Sequence, residues 1–97
     1  MPEFRVPDFM GVPDRAWATL VSLRDAVAAT CHESKPDAVT VLMPSGRVKD
    51  LPLEDYDLLV ARGWVDANPD NTVAVNATGR YWAERWQKTN RVVLGWA

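Results

Sequence analysis

Cys31 and His32 are the only cysteine and the only histidine in the chain, and together they could act as a nucleophile and its base. Such a pair needs its two side chains in contact, with a third group that orients the base. We expect both residues on one helix, where adjacent side chains point in different directions. Cys31 is therefore predicted to be a core residue, and His32 a solvated residue near the C-terminus of that helix. With no further cysteine or histidine, neither a disulfide nor a metal site is expected.

The second group that could do chemistry consists of three carboxylates, Glu54, Asp55 and Asp57. Two carboxylates can share acid and base work. Nothing beside them predicts a substrate pocket, however, and acids also suit the N-terminus of a helix. The segment Pro44-Ser45-Gly46 is too short to cradle a phosphate, and no Gly-Lys-Ser or Gly-Lys-Thr follows it. The sequence therefore predicts no enzymatic activity, no cofactor and no metal.

Length, charge and hydropathy limit the class of protein. The 97 residues allow one domain, and 47% hydrophobic with 25% charged residues is typical of a soluble globular protein. A net charge of −2 argues against a surface made wholly for nucleic acid or anionic membranes. No apolar run approaches the ~20 residues of a membrane span. The first residues also lack the pattern of a signal peptide, so a cytoplasmic location is expected.

The amino-acid usage carries a hint of origin. The chain has no isoleucine, and its eight arginines stand against three lysines. Codons for isoleucine and lysine are rich in A and T, so this bias is common in GC-rich genomes. We expect an actinobacterial protein, or one encoded by a phage of such a host.

Proline spacing and apolar periodicity divide the first third of the chain into an arm and a helix. Three prolines keep residues 1–13 extended. The large apolar residues of this arm, Phe9 among them, indicate that it folds back on its own core or packs on a second subunit or partner. Residues 14–33 are predicted to form a long helix, because their apolar side chains recur at steps of three and four. Pro36 ends it.

The remaining elements complete an α+β domain over residues 14–97, with a short antiparallel sheet and two further helices. We predict a hairpin at 39–51, a helix at 52–62, strands at 64–65 and 72–75, and a last helix at 77–89. Gly63 is expected to cap the second helix, and Asn76 or Thr78 to begin the third. The buried face of the second helix is predicted to consist of Leu53, Tyr56, Leu59 and Val60.

Two further apolar groups belong to the C-terminal part. Trp82 and Trp86 are four residues apart, so they share one helix face, and we expect them to pack on the first helix. Residues 92–96 are again apolar. They are expected either to close the sheet as a short strand or to form an apolar tail.

The run from Leu58 to Val65, followed by a polar loop and the run from Val73 to Arg80, resembles the C-terminal half of a winged helix-turn-helix domain. In that superfamily a helix ends at a glycine and two apolar residues begin the first wing strand. The second wing strand then leads into a cap-x-x-Gly start of another helix. Gly63, Asn76 and Gly79 occupy those positions here. The resemblance implies a small winged-helix-like fold and the DNA-binding role of that superfamily.

The helix in the recognition position is acidic, which favours a different function. Between Asp50 and Asp70, six acids stand against one base. DNA recognition helices enter the major groove with their N-terminal residues foremost, and three carboxylates there would meet phosphates. We therefore expect a small protein-interaction module, encoded by a phage and acting on a host protein. The residues predicted to contact a protein partner, or a second copy of the chain, are Glu54, Asp55, Asp57, Phe9 and Trp96.

The alternative is a winged-helix DNA-binding transcriptional regulator. From Asn71 to the end of the chain, four bases stand against the single acid Glu84. The bases that could contact phosphates are Arg80, Arg85, Lys88 and Arg91. The same residues could instead be a solvated helix face with ion pairs to Glu84, or a site for an acidic partner.

Overall fold

The computed structural model describes the backbone of residues 9–32 and 35–93, and the side chains of residues 10–31 and 37–88. It shows an α+β fold, which confirms the predicted class. A 3₁₀ turn at Phe9–Gly11 is followed by the helices α1 (Asp14–Asp25), α2 (Leu53–Ala61) and α3 (Ala77–Val93). The strands are β1 (Ala28–His32), β2 (Lys35–Leu42), β3 (Val48–Pro52), β4 (Val65–Ala67) and β5 (Val73–Val75).

The first helix is shorter than predicted, because its expected second half is a strand. The N–H of Ala26 still bonds to the carbonyl of Ser22, but the N–H of Val27 bonds at 2.7 Å to the carbonyl of Leu42 on β2. The prediction of one helix over 14–33 was therefore wrong. The spacing of the apolar residues in this segment suits a helix, but its pairing with β2, a strand distant in sequence, is more favourable. Cys31 lies on β1 as a result, half-buried against the core.

The two sheets are antiparallel and adjoin each other. β1, β2 and β3 form one sheet in that order, and β4 pairs with β5 in a second. The predicted hairpin is confirmed as β2–β3, which turns through Gly46 at φ 86°. A single bridge between Thr30 and Thr72 joins the sheets, and the N–H of Cys31 donates to the carbonyl of Asn71 at 2.9 Å.

The core lies between the helices and one face of the three-stranded sheet. Its fully buried large side chains are Trp17, Leu20, Leu59, Val12, Val39 and Val41. Trp82 and Trp86 are half-buried against this core, and the ring of Trp86 stacks on that of Trp17 in α1 with 6.0 Å between centroids. Val12 was assigned to the arm, yet it is fully buried, so the end of the arm packs on the chain's own core. Residues 1–8 lie outside the described part.

The buried face of α2 differs from the predicted one by one position. Tyr56 and Leu59 are buried as expected, whereas Val60 is 38% exposed and Asp55 is 4% exposed. Asp55 lies four residues before Leu59 and therefore shares its side of the helix. Val60 is turned about 100° from Leu59, which brings it to solvent.

Asn76 joins the end of α2 to the start of α3, as the sequence predicted for the cap. Its side-chain oxygen accepts a bond from the N–H of Gly79 at 2.9 Å, and its amide nitrogen donates to the carbonyl of Gly63 at 2.7 Å. Gly63 has φ 76°, the left-handed conformation expected of a helix-ending glycine. α3 runs to Val93, so Val92 and Val93 are helical and do not form the strand that was one of the two expectations for residues 92–96. Leu94 to Ala97 lie outside the described residues.

Gly79 allows α3 to approach the backbone of Trp64. A Cβ at this position would overlap the carbonyl oxygen of Trp64 and lie 2.8 Å from Cγ1 of Val75. We expect Gly79→Ala to lower the free energy of unfolding by roughly 1–3 kcal/mol, the usual cost of overpacking.

Urea unfolding monitored by tryptophan fluorescence measures this loss. The control is Gly46→Ala, where a Cβ has nothing within 4 Å and only the positive φ opposes it. A loss in Gly79→Ala of less than about 0.5 kcal/mol, the range of an ordinary surface substitution, would contradict the close approach of α3 to Trp64.

Candidate functional site

Asp55, one of the predicted partner-contacting acids, is buried between α1 and α2. Its Oδ2 accepts a hydrogen bond from the hydroxyl of Thr19 at 3.3 Å, and its Oδ1 lies 3.3 Å from Nε of Arg15. Arg15 also pairs with Glu54. The prediction that Asp55 contacts a partner is therefore corrected, because its carboxylate is engaged within the chain.

The two flanking acids keep their exposure. Glu54 shares Arg15 with Asp55 and has 65% of its side chain exposed, and Asp57 is exposed. The negative charge offered at the start of α2 is thus smaller than three carboxylates would give, because Arg15 of α1 stands beside two of them. The sequence separation of Arg15 from this helix concealed the pairing.

Removing the Asp55 carboxylate should destabilise the fold. Asp55→Ala leaves the hydroxyl of Thr19, which is 4% exposed, without its acceptor, and a buried polar group that loses its partner costs about 1–3 kcal/mol. Asp57→Ala removes an exposed carboxylate from the same helix and should change stability by no more than about 0.5 kcal/mol. Thermal unfolding of the two variants measures the difference. A loss in Asp57→Ala as large as in Asp55→Ala would contradict the internal role of Asp55.

Cys31 lies beside Tyr56 in the core. The pKa of Tyr56 is raised to about 12, and burial is the largest cause. The charge of the Cys31 side chain and its hydrogen bond with Tyr56 are the next causes. The side chain that the structure places beside the Cys31 thiol is therefore a phenol that stays protonated at neutral pH and does not act as a base. The side chain of His32 lies outside the described residues.

The raised pKa predicts a stability that depends on pH in alkaline solution. The ordinary tyrosine pKa is 10.0 and that of folded Tyr56 is about 12, so the unfolded chain releases this proton first. The stabilisation is complete below pH 10 and is lost as the pH rises towards 12. Absorbance titration of the phenolate should show a component near pH 12 that is missing in Tyr56→Phe. Identical titration curves for the two proteins would refute the assignment.

The basic residues predicted to contact DNA lie along α3. Arg80, Arg85 and Lys88 are exposed, and the predicted pair of Lys88 with Glu84 is present at 3.0 Å. The guanidinium of Arg85 lies 5.8 Å from the ring centre of Tyr81, and these two residues with Glu84 and Lys88 line a surface groove of about 280 Å³. The backbone of Arg91 lies in α3. The side chains of Arg91, Phe9 and Trp96 lie outside the described residues.

The loop between β4 and β5, which the resemblance makes a wing, presents a carboxylate. Thr72 donates to Asp70 from its N–H at 3.1 Å and from its hydroxyl. These bonds hold the pKa of Asp70 below its usual value. The loop is exposed, so it offers negative charge and no basic side chain where a wing would approach phosphates.

The sequence reasoning missed an apolar patch on the outer face of the three-stranded sheet. Six large apolar side chains stand exposed among the described residues, and two of them lie opposite each other here: Leu42 at 38% and Val48 at 61%. Leu42 lies opposite Val48 on β3 and opposite the exposed Ala28 on β1. We call Ala28, Leu42 and Val48 the sheet patch. The sequence does contain a signal for this patch, because Leu42 and Val48 lie at equal distances along the chain from the centre of the hairpin turn.

The row next to the sheet patch is polar. Thr40 lies between Thr30 and Asp50 on the same outer face, and its hydroxyl donates to Asp50 at 2.9 Å. An apolar strip one row wide, bordered by hydroxyls and one carboxylate, is suited to contact with another protein surface.

Within the part of the chain that the structure describes, no helix is long and apolar enough to cross a membrane. The described residues also contain no cluster of three or more histidine, cysteine or carboxylate groups that could hold a metal ion. No protein-family model matches the chain, and neither the curated proteins nor the solved structures contain a significant match to it.

Proposed function

We propose that this protein is a non-enzymatic interaction module of the cytoplasm that binds another protein through the sheet patch. The exposure of Leu42 and Val48 side by side supports this most directly, because exposed apolar groups that gather into a patch mark binding surfaces. The phage origin and the host protein as partner rest on the composition.

The sheet patch is the centre of a larger contact. A stable protein interface buries about 800 Å² on each partner, more than three side chains supply. The contact therefore extends over the polar row that contains Thr40 and Asp50. A partner with an apolar anchor for Leu42 and Val48, and polar groups beside it, fits this surface.

The DNA-binding regulator is the second candidate. The exposure of Arg80, Arg85 and Lys88 on α3 supports it, and α2, β4, β5 and α3 follow one another in the order of the winged-helix resemblance. A strand precedes α2 where that superfamily has a helix, and Asp57 and Asp70 face solvent where DNA would lie. We rank this function second because both carboxylates would repel phosphates.

Leu42 and Val60 provide a matched pair of variants, because both side chains are 38% exposed and only Leu42 belongs to the sheet patch. We expect Leu42→Ser to weaken partner binding roughly ten-fold or more, the value of one buried leucine at an interface. Val60→Ser should leave binding unchanged. The measurement is the amount of each actinobacterial protein retained from lysate by the wild type and by the two variants.

Only a protein retained by the wild type and Val60→Ser, and lost with Leu42→Ser, supports the proposal. Equal retention by all three proteins contradicts it. Fluorescence anisotropy with labelled duplex DNA tests the second candidate. Tight binding by the wild type that falls steeply between ~50 and ~200 mM salt would favour the regulator.

A further inference from the structure

The outer face of α3 is a second exposed surface, and its charge is opposite in sign to that of the whole protein. The inner side of this helix holds Ala83, which is fully buried, and Trp86, which stacks on Trp17 of α1. The exposed side chains that we call the α3 face are Arg80, Tyr81, Glu84, Arg85 and Lys88. They carry three bases and one acid, in a chain whose net charge is −2.

The positive charge of the α3 face is only partly neutralised within the chain. Glu84 pairs with Lys88 at 3.0 Å, and both side chains are more than half exposed. The ion pairs among the described residues involve neither Arg80 nor Arg85. At 100° per residue these two arginines flank the Glu84–Lys88 pair on the helix surface. Each guanidinium offers five N–H donors in a fixed plane, a geometry that suits a carboxylate.

Tyr81 holds Arg85 in place for such a contact. The guanidinium of Arg85 lies over the Tyr81 ring, 5.8 Å from its centre, and Tyr81 itself is 52% exposed. Contact with the ring restricts a long side chain in advance, so less freedom is lost when the guanidinium binds a partner. Tyrosine and arginine are also enriched among the residues that contribute most to protein interfaces.

The groove on the α3 face has the size of a short peptide segment. Its volume is about 280 Å³, and its lining includes Tyr81 at one end and Lys88 at the other. Lys88 lies seven residues after Tyr81, which corresponds to about 10 Å along the helix axis. About three residues of an extended chain cover the same length.

We propose that the α3 face binds an acidic segment of a protein partner, with carboxylates on Arg80 and Arg85 and an apolar side chain against Tyr81. This surface is separate from the sheet patch. The core lies between the helices and the inner face of the three-stranded sheet, whereas the sheet patch lies on the outer face. The inference therefore goes beyond the proposed function and does not rest on it.

Glu84 favours a peptide over a nucleic-acid duplex as the occupant. Its carboxylate lies among the bases and would repel phosphates, whereas a peptide can donate a backbone N–H or a hydroxyl to it. The three bases of the α3 face are also few for a duplex, whose affinity grows with the number of phosphates that the protein neutralises.

Two synthetic peptides of the same shape, blocked at both ends, test the charge of the occupant with the full-length protein. Thr-Glu-Leu-Glu-Asp-Thr is acidic, and Thr-Gln-Leu-Gln-Asn-Thr has an amide in place of each carboxylate. We expect the acidic peptide to bind roughly three- to thirty-fold more tightly, from about two exposed ion pairs. NMR titration of ¹⁵N-labelled protein should show the largest shifts at the amides of the α3 face. Equal affinities, or largest shifts outside α3, would overturn the proposal.

Arg85→Gln and Arg47→Gln form a matched pair of variants. Each removes one exposed positive charge, and Arg47 lies in the loop between β2 and β3, outside the α3 face. We expect Arg85→Gln to bind the acidic peptide roughly two- to five-fold more weakly than Arg47→Gln, the value of one exposed ion pair. Equal binding by the two variants would show that the peptide responds only to net charge, and would overturn the proposal.

Other occupants and the sheet patch are distinguished by three further results. Leu42→Ser should bind the acidic peptide as the wild type does, and a loss would place the peptide on the sheet patch and overturn the proposal. Duplex DNA that binds more tightly than the acidic peptide and displaces it would also overturn the proposal. Self-association that is lost in Arg85→Gln would assign the α3 face to a second copy instead. Partner retention that depends on Leu42 is tested separately, so the proposed function can stand or fail without this inference.

Discussion

The burial of Trp17 is the constraint on which the arrangement of the other elements depends. Its ring lies 4.8 Å from that of Trp64, which precedes β4, and 6.0 Å from that of Trp86 on α3. Large aromatic side chains contribute much of the apolar burial in a small core. Because Gly79 admits the backbone of Trp64 so closely, α3 can hold Trp86 against α1 while the β4–β5 sheet stays attached.

Elements with local signals could be predicted from the sequence, and those decided by distant partners could not. The hairpin turn, the glycine after α2 and the Asn76 cap each depend on a few neighbouring residues, and all three are present. The end of α1 depends on a hydrogen bond from Val27 to Leu42. An alanine-rich segment that suits a helix becomes a strand when a neighbouring strand offers it a ladder.

The candidate surfaces show the same division between local and distant information. Asp55 belonged to an acidic run by sequence, but its partners Thr19 and Arg15 lie on another helix and withdraw it from solvent. The exposed strip of Leu42 and Val48 needed the strand register to become visible. Counting charges along the sequence therefore overestimated the negative charge at the start of α2. The hydropathy of the sequence did not reveal the exposed apolar strip on the sheet.

The bridge between Thr30 and Thr72 closes one side of the three-stranded sheet. With the bond from Cys31 to Asn71, it covers the flank of β1 with the chain's own loop. A sheet with two open sides can add strands without end and polymerise. Among the described residues the flank of β1 is bonded to a loop of the same chain, which opposes the joining of several molecules into one continuous sheet.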